Sequence, residues 1–178
     1  GVNGYYQETR TGLLYPFAGR PYPSRIFVFP LKLMPHAQQT LYFRVQSNIA
    51  ILVPANLWSK SAFYDNERDE YMVQTCYFGM VIAMVLFNLL LALLLWETIY
   101  IRYILYMSCM ALAIGCENGL STQYLWPNAP LWAEMAADTL STFALCGMLM
   151  FTREMLTTQT SHPKIDWLLR ILIGMQAL

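Results

Sequence analysis

From Met72 to Trp96 the chain runs 25 residues without one Asp, Glu, Lys, Arg or His, and its middle, Val81 to Leu95, is apolar on nearly every face. A helix crossing the hydrocarbon core of a bilayer needs about 20 such residues, whereas a helix on the surface of a soluble domain keeps a polar stripe. The run therefore predicts a membrane-spanning helix, and the rest of the chain has to be placed relative to it. The segment before the run is of ordinary polarity and rich in turn residues; the segment after it is again apolar.

The charge distribution supports that division. Only 12% of the 178 residues are charged and the net charge is zero, which leaves no basic surface for nucleic acid. Of the 11 Lys and Arg residues, those beyond position 68 are Arg102, Arg153, Lys164 and Arg170. After the first helix (about 72–96), helices are predicted at about 102–120 and 131–151, with the start of a fourth at 167–178. The first and third connections carry Arg102, and Arg153 with Lys164, whereas the second, around Tyr124–Pro130, has no Lys or Arg. Cationic loops stay in the cytoplasm, so residues 1–71 are expected outside. Trp126 and Trp132 then fall at the outer interface and Trp96 and Trp167 at the inner one, where indole rings anchor helices. The last run, Trp167–Leu178, would reach only about 18 Å as a helix, so the chain reads as a fragment of a longer protein.

The first 58 residues carry period-two patterning. Phe27, Phe29, Leu31 and Leu33 alternate, as do Leu41, Phe43 and Val45 against Tyr42, Arg44 and Gln46. Leu13–Phe17 and Asn48–Val53 are weaker strand candidates, and Met34–Gln38 reads as a hairpin loop around His36. The expected fold is mixed: part of an antiparallel β-sandwich outside, a connector at 59–71, and an α-helical membrane bundle over 72–178. The many aromatic residues outside either fill the sandwich core or stack on sugar rings.

Four polar groups inside the apolar half are candidate functional side chains. Asn88 lies well within the first helix and is expected to face another helix. Glu117 and Asp138 each lie fifteen positions from an inner-boundary arginine, hence about 22 Å above it along a helix, with Glu134 one turn from Asp138. That height favours an interfacial or coupling role; a transporter or channel with Glu117 and Asp138 on a cation path is the alternative. Small-xxx-small pairs at Gly79/Ala83, Ala111/Gly115 and Ala137/Ser141 permit close helix packing. Cys76, Cys109, Cys116 and Cys146 lack metal or redox spacing and read as buried apolar residues. No P-loop, nucleophile elbow, HExxH or dinucleotide fingerprint occurs, and His162 has no nucleophile partner, so neither catalysis, metal nor cofactor is expected.

The order of the segments carries a resemblance. Thr11-Gly12, Pro16-Phe17 and Arg20, then Phe27–Leu33, Gln39–Ser47 and Pro54 with Leu57-Trp58 resemble the type 2 extracellular domain of the bacterial seven-transmembrane receptors with diverse intracellular signalling modules. Tyr77–Gly79, Ala83, Phe87–Leu89, Tyr103–Tyr106, Asn118–Asn128 and Phe151–Leu156 resemble the first three membrane helices of that family and their loops. The resemblance implies a jelly-roll-like, carbohydrate-binding-type outer domain, seven helices in the bacterial inner membrane, and a C-terminal output module of the diguanylate cyclase or histidine kinase type. Expected partners are the lipid bilayer, an extracytoplasmic small molecule or carbohydrate, the output module of the same chain and, as a further candidate, a second copy of the chain.

Overall fold

A computed structural model describes residues 8–33, 40–46, 53–156 and 163–176. Within them the chain forms one 3-10 turn, Phe17–Gly19, and five helices: α1 Lys60–Leu95, α2 Thr98–Glu117, α3 Leu120–Tyr124, α4 Pro130–Met155 and α5 Pro163–Gln176. Three of them, α1, α2 and α4, are long and apolar enough to cross a membrane.

Helix α1 is 36 residues long because nothing in Lys60–Tyr71 interrupts it. The Ser59 side chain caps its start by accepting from the Ala62 amide at 3.3 Å. Segment 59–71, which the sequence sets apart as a connector on its charge, is thus the first three turns of the membrane helix itself. Along α1 the better-covered residues recur every three and four positions, through Tyr71, Gln74, Phe78, Val81, Val85 and Asn88. That spacing marks a single seam against a partner helix, the geometry of shallow left-handed packing. The other faces expose Met80, Leu86, Leu90 and Leu94, as a helix in lipid or beside further helices would.

At its inner end α1 stops at Trp96, which takes the left-handed conformation (φ 54°) and donates its amide to the Ala92 carbonyl at 3.0 Å. Only Trp96 and Glu97 separate α1 from α2. Helix α2 packs most extensively against α4 and next against α1, so it is the central member. Its approach to α4 is set by Gly147, where a Cβ would stand 3.3 Å from both Cα and Cβ of Tyr106. Ala136 and Ala144 are buried on α4, and Ala111, Ala113 and Gly115 on α2.

The expected β-sandwich is overturned: among the described residues there is no strand and no sheet. Residues 26–33 and 40–46 contain no regular element, and their patterned faces stay open, with Leu33 54% and Phe43 66% exposed. Phe29 and Phe43 do meet edge to face, with centroids 6.3 Å apart, so the two segments touch through side chains without a backbone ladder. Alternation identifies residues able to share a face; it does not supply the paired N–H and C=O groups of a neighbouring strand, and Pro30 has no N–H to give. The jelly-roll and carbohydrate-binding expectations fall with the sheet. The predicted loop Met34–Gln38, His36 included, lies outside the described residues, as do His162 and nearly all of the Asn48–Val53 strand.

Candidate functional site: the outer junction

The outer segment is held onto the helices by a small set of polar groups at the extracytoplasmic end of the bundle. Pro16, Pro21 and Pro23 keep the chain irregular around the 3-10 turn, and Arg20 organises it. Its guanidinium sits over the Phe17 and Phe27 rings, 4.8 and 4.5 Å from their centroids, and donates to the Ser24 and Arg25 carbonyls at 2.8 and 2.9 Å. Burial there pulls the Arg20 side chain below its ordinary pKa.

This folded segment presents Ser24 and Arg25 to α1. The Ser24 side chain, on a fully buried residue, donates its hydroxyl proton to Glu67 Oε1 at 2.6 Å. Arg25, whose side chain is only 7% exposed, pairs with Glu70, and its charge also faces the Tyr71 ring at 5.4 Å. Tyr22 meets Phe63 edge to face one turn further out. Four residues of α1, Phe63, Glu67, Glu70 and Tyr71, thereby bind the outer segment along one helical face.

The same segment reaches the second outer loop. The Phe17 amide donates to the Pro127 carbonyl at 3.1 Å. Gly119, at the turn between α2 and α3, has φ +74°, and a Cβ there would stand 2.8 Å from the Arg25 carbonyl oxygen. Helix α1 is tied to that loop as well: Tyr71 donates its hydroxyl to Gln123 Oε1 at 2.9 Å, and the Gln74 amide donates to Asn118 Oδ1 at 3.1 Å. Arg25 therefore lies at the meeting point of α1 and the α2–α3 turn. Buried Arg20 Nε, Gln74 Oε1 and Trp126 Nε1 make no hydrogen bond to protein among the described residues.

A second polar cluster closes the opposite end. Arg102 pairs with Glu154 at 2.7 Å, and the Thr98 hydroxyl donates to the same carboxylate at 2.8 Å, fastening the start of α2 to the end of α4. Asp166, in the first turn of α5, accepts from Arg153 of α4 and pairs with Arg170 at 2.8 Å. The Arg153 guanidinium, aided by Arg170, holds the Asp166 carboxyl below the usual carboxylate range.

Among the side chains singled out from sequence, Asn88 lies on the α1 seam, half-buried, and its amide donates back to the Met84 carbonyl at 2.8 Å within its own helix. Glu117, Glu134 and Asp138 are all exposed, with no ion pair among the described residues. Trp126 and Trp132 meet edge to face, with centroids 6.1 Å apart, at the outer end; Trp96 is 88% and Trp167 66% exposed at the inner end. Lys164 falls in the first turn of α5. The four cysteines are free thiols, and among the described residues no group of three or more His, Cys, Asp or Glu side chains is disposed to hold a metal ion. Of the residues that make the junction, Arg20 and Gly119 enter the sequence reading only within the stretches that carry the resemblance, and Ser24, Arg25, Glu67 and Glu70 are not singled out there. The available signal is Glu67 and Glu70, spaced i,i+3 on a helix entering the membrane, with Arg20 and Arg25 in the segment before it.

Residues 70–178 match the family described as 7TM diverse intracellular signalling, and residues 2–59 match the family described as 7TMR-DISM extracellular 2. The first match covers more than half of the chain, and the chain belongs to this family of membrane-embedded signalling receptors. No curated protein and no solved structure matches it. It is a multi-pass protein of the bacterial cytoplasmic membrane with an extracytoplasmic sensor segment, and it relays an extracytoplasmic signal across that membrane.

Proposed function

We propose that the outer junction is the coupling element of this receptor: the outer segment senses a small extracytoplasmic molecule and changes how Arg25 and Ser24 grip the first turns of α1. The observation that carries this reading is the continuity of α1. The helix that bears Glu67 and Glu70 runs unbroken to Leu95 and is joined to α2 by two residues. A tilt or rotation imposed at Glu70 reaches Thr98 and Arg102 through a rigid rod and a short link, and there acts on the contact with Glu154. The output is a catalytic module of the same protein, of the diguanylate cyclase or histidine kinase type, reached through the inner ends of the helices. The residues of the chain described here bind and transmit; they do not catalyse.

The reading is tested without knowing the ligand. Arg25→Glu replaces the ion pair with Glu70 by a like charge, and hydrogen exchange is followed by mass spectrometry in lipid nanodiscs. Exchange is expected to rise at the outer junction and also at the inner ends of α2 and α4, around Thr98–Arg102 and Arg153–Met155. The lipid-facing variant Leu90→Ala should leave both regions unchanged. A rise confined to the outer junction would sink the coupling role.

A further inference from the structure

At the inner end of the bundle a cavity of about 320 Å³ opens between α2, α4 and α5, lined by Arg102, Met150, Arg153, Arg170 and Ile173. Three of its five lining residues are arginines in a chain that has only four basic residues beyond position 68. Among the described residues Glu154 pairs with Arg102, and Asp166 with Arg153 and Arg170. The pairing also leaves donors over. Arg102 meets Glu154 through one terminal nitrogen and Arg170 meets Asp166 through Nε, so each guanidinium keeps further N–H groups. Their side chains are 44% and 60% exposed.

The apolar residues are placed along the helices in a consistent way. Met150 lies one turn above Arg153 on α4, and Ile173 one turn beyond Arg170 on α5, both on the side leading into the membrane. The cavity thus has a cationic rim at the cytoplasmic interface and an apolar floor toward the hydrocarbon. A phosphodiester with an attached acyl chain has that same sequence of polarity, and arginine forks match phosphate oxygens.

We propose that this cavity binds the phosphate headgroup of an anionic phospholipid from the cytoplasmic leaflet, with Arg102 and Arg170 as its donors and Met150 and Ile173 against the first acyl carbons. A bound headgroup would bridge α2 to α5 beside the Arg102–Glu154 and Asp166 pairs, fixing the ends of the helices from which the output is driven. The site stands independently of whether the outer junction relays a signal.

The test uses the full-length protein in a mild detergent, with lipid retention read by native mass spectrometry and melting temperature by scanning fluorimetry. Phosphatidylglycerol, phosphatidylcholine and inorganic phosphate are added in separate arms. Phosphatidylglycerol is expected to be retained about tenfold better than phosphatidylcholine, whose choline cation offsets the phosphate charge and is repelled by the arginines, and to raise the melting temperature. The double variant Arg102→Gln, Arg170→Gln should lose that preference, read as the ratio of the two lipids retained by the same variant, because its melting temperature also falls with the Glu154 and Asp166 pairs. Should the pair fail to fold, Arg170→Gln alone must still lower the preference. Equal retention of the two lipids, or an unchanged preference in the variants, overturns the site. Protection by inorganic phosphate equal to that by phosphatidylglycerol overturns the lipid assignment in favour of a soluble anion.

Discussion

At Gly119 two constraints coincide, a left-handed backbone and a carbonyl oxygen of Arg25 standing where a side chain would begin. For a residue with a Cβ, that region of backbone space costs roughly 1–2 kcal/mol, and the crowding against backbone adds to it. Gly119→Ala is therefore expected to push Arg25 out of line with Glu70 and to lower the melting temperature in detergent by several degrees. Arg25→Lys keeps the charge but gives up the planar fork, so it should weaken the junction less than Gly119→Ala does. A melting temperature for Gly119→Ala equal to the parent's would show that the turn does not depend on this contact. Nothing in the residue type announces such a site. Glycine after Asn118 reads from sequence as an ordinary helix end, and the requirement arises only because a segment nearly a hundred positions earlier lies against it.

At the scale of helices, small residues differ according to what faces them. Gly147 admits the backbone of Tyr106, and a larger side chain would force α2 and α4 apart, whereas Gly79 has nothing within 4 Å of where its Cβ would be. Gly147→Val should thus destabilise the bundle by about 1–3 kcal/mol, the usual cost of overpacking. Gly79→Ala should be neutral or stabilise α1 by up to about 1 kcal/mol through helix propensity. Melting curves of both variants in the same detergent check this; equal losses would mean that the α2–α4 approach is not what fixes the packing. The contrast also measures what the sequence reveals about elements. Apolar runs of sufficient length locate the membrane helices, because the bilayer imposes one solution on them. Small-residue spacing points to Gly79/Ala83 as readily as to Ala111/Gly115, yet only the second pair is buried. The patterned outer segment is the harder case: alternating Phe27, Phe29, Leu31 and Leu33 satisfies the strand template, but what holds this segment in place is Arg20, Ser24 and Arg25 gripping neighbouring carbonyls and α1. Those contacts with α1 join residues more than forty positions apart, and no local pattern encodes them.

At the scale of the molecule, polar contacts among the described residues are concentrated at the two ends of an apolar bundle, and the inner end carries a carboxylate whose titration ties stability to pH. There Asp166 has its pKa lowered by Arg153 first and Arg170 second. A carboxyl whose folded pKa lies below its unfolded value, near about 3.9, adds stability that is fully present above that value. The contribution fades as pH falls through the lower, folded pKa, when the protonated carboxyl releases both arginines. Melting temperature against pH in detergent should therefore fall on the acid side, and Asp166→Asn should both lower the neutral-pH value and flatten that acid limb. The exposed pair Glu8–Arg10 is screened by solvent and supplies little of the slope. If parent and variant show the same acid limb, Asp166 is not the group that fastens α5 to α4. Because that loss sets in only well below neutral pH, the inner clamp stays engaged under ordinary cytoplasmic conditions. On the proposed coupling, what moves the inner helix ends acts through α1 and its two-residue link to α2 rather than by titrating the clamp.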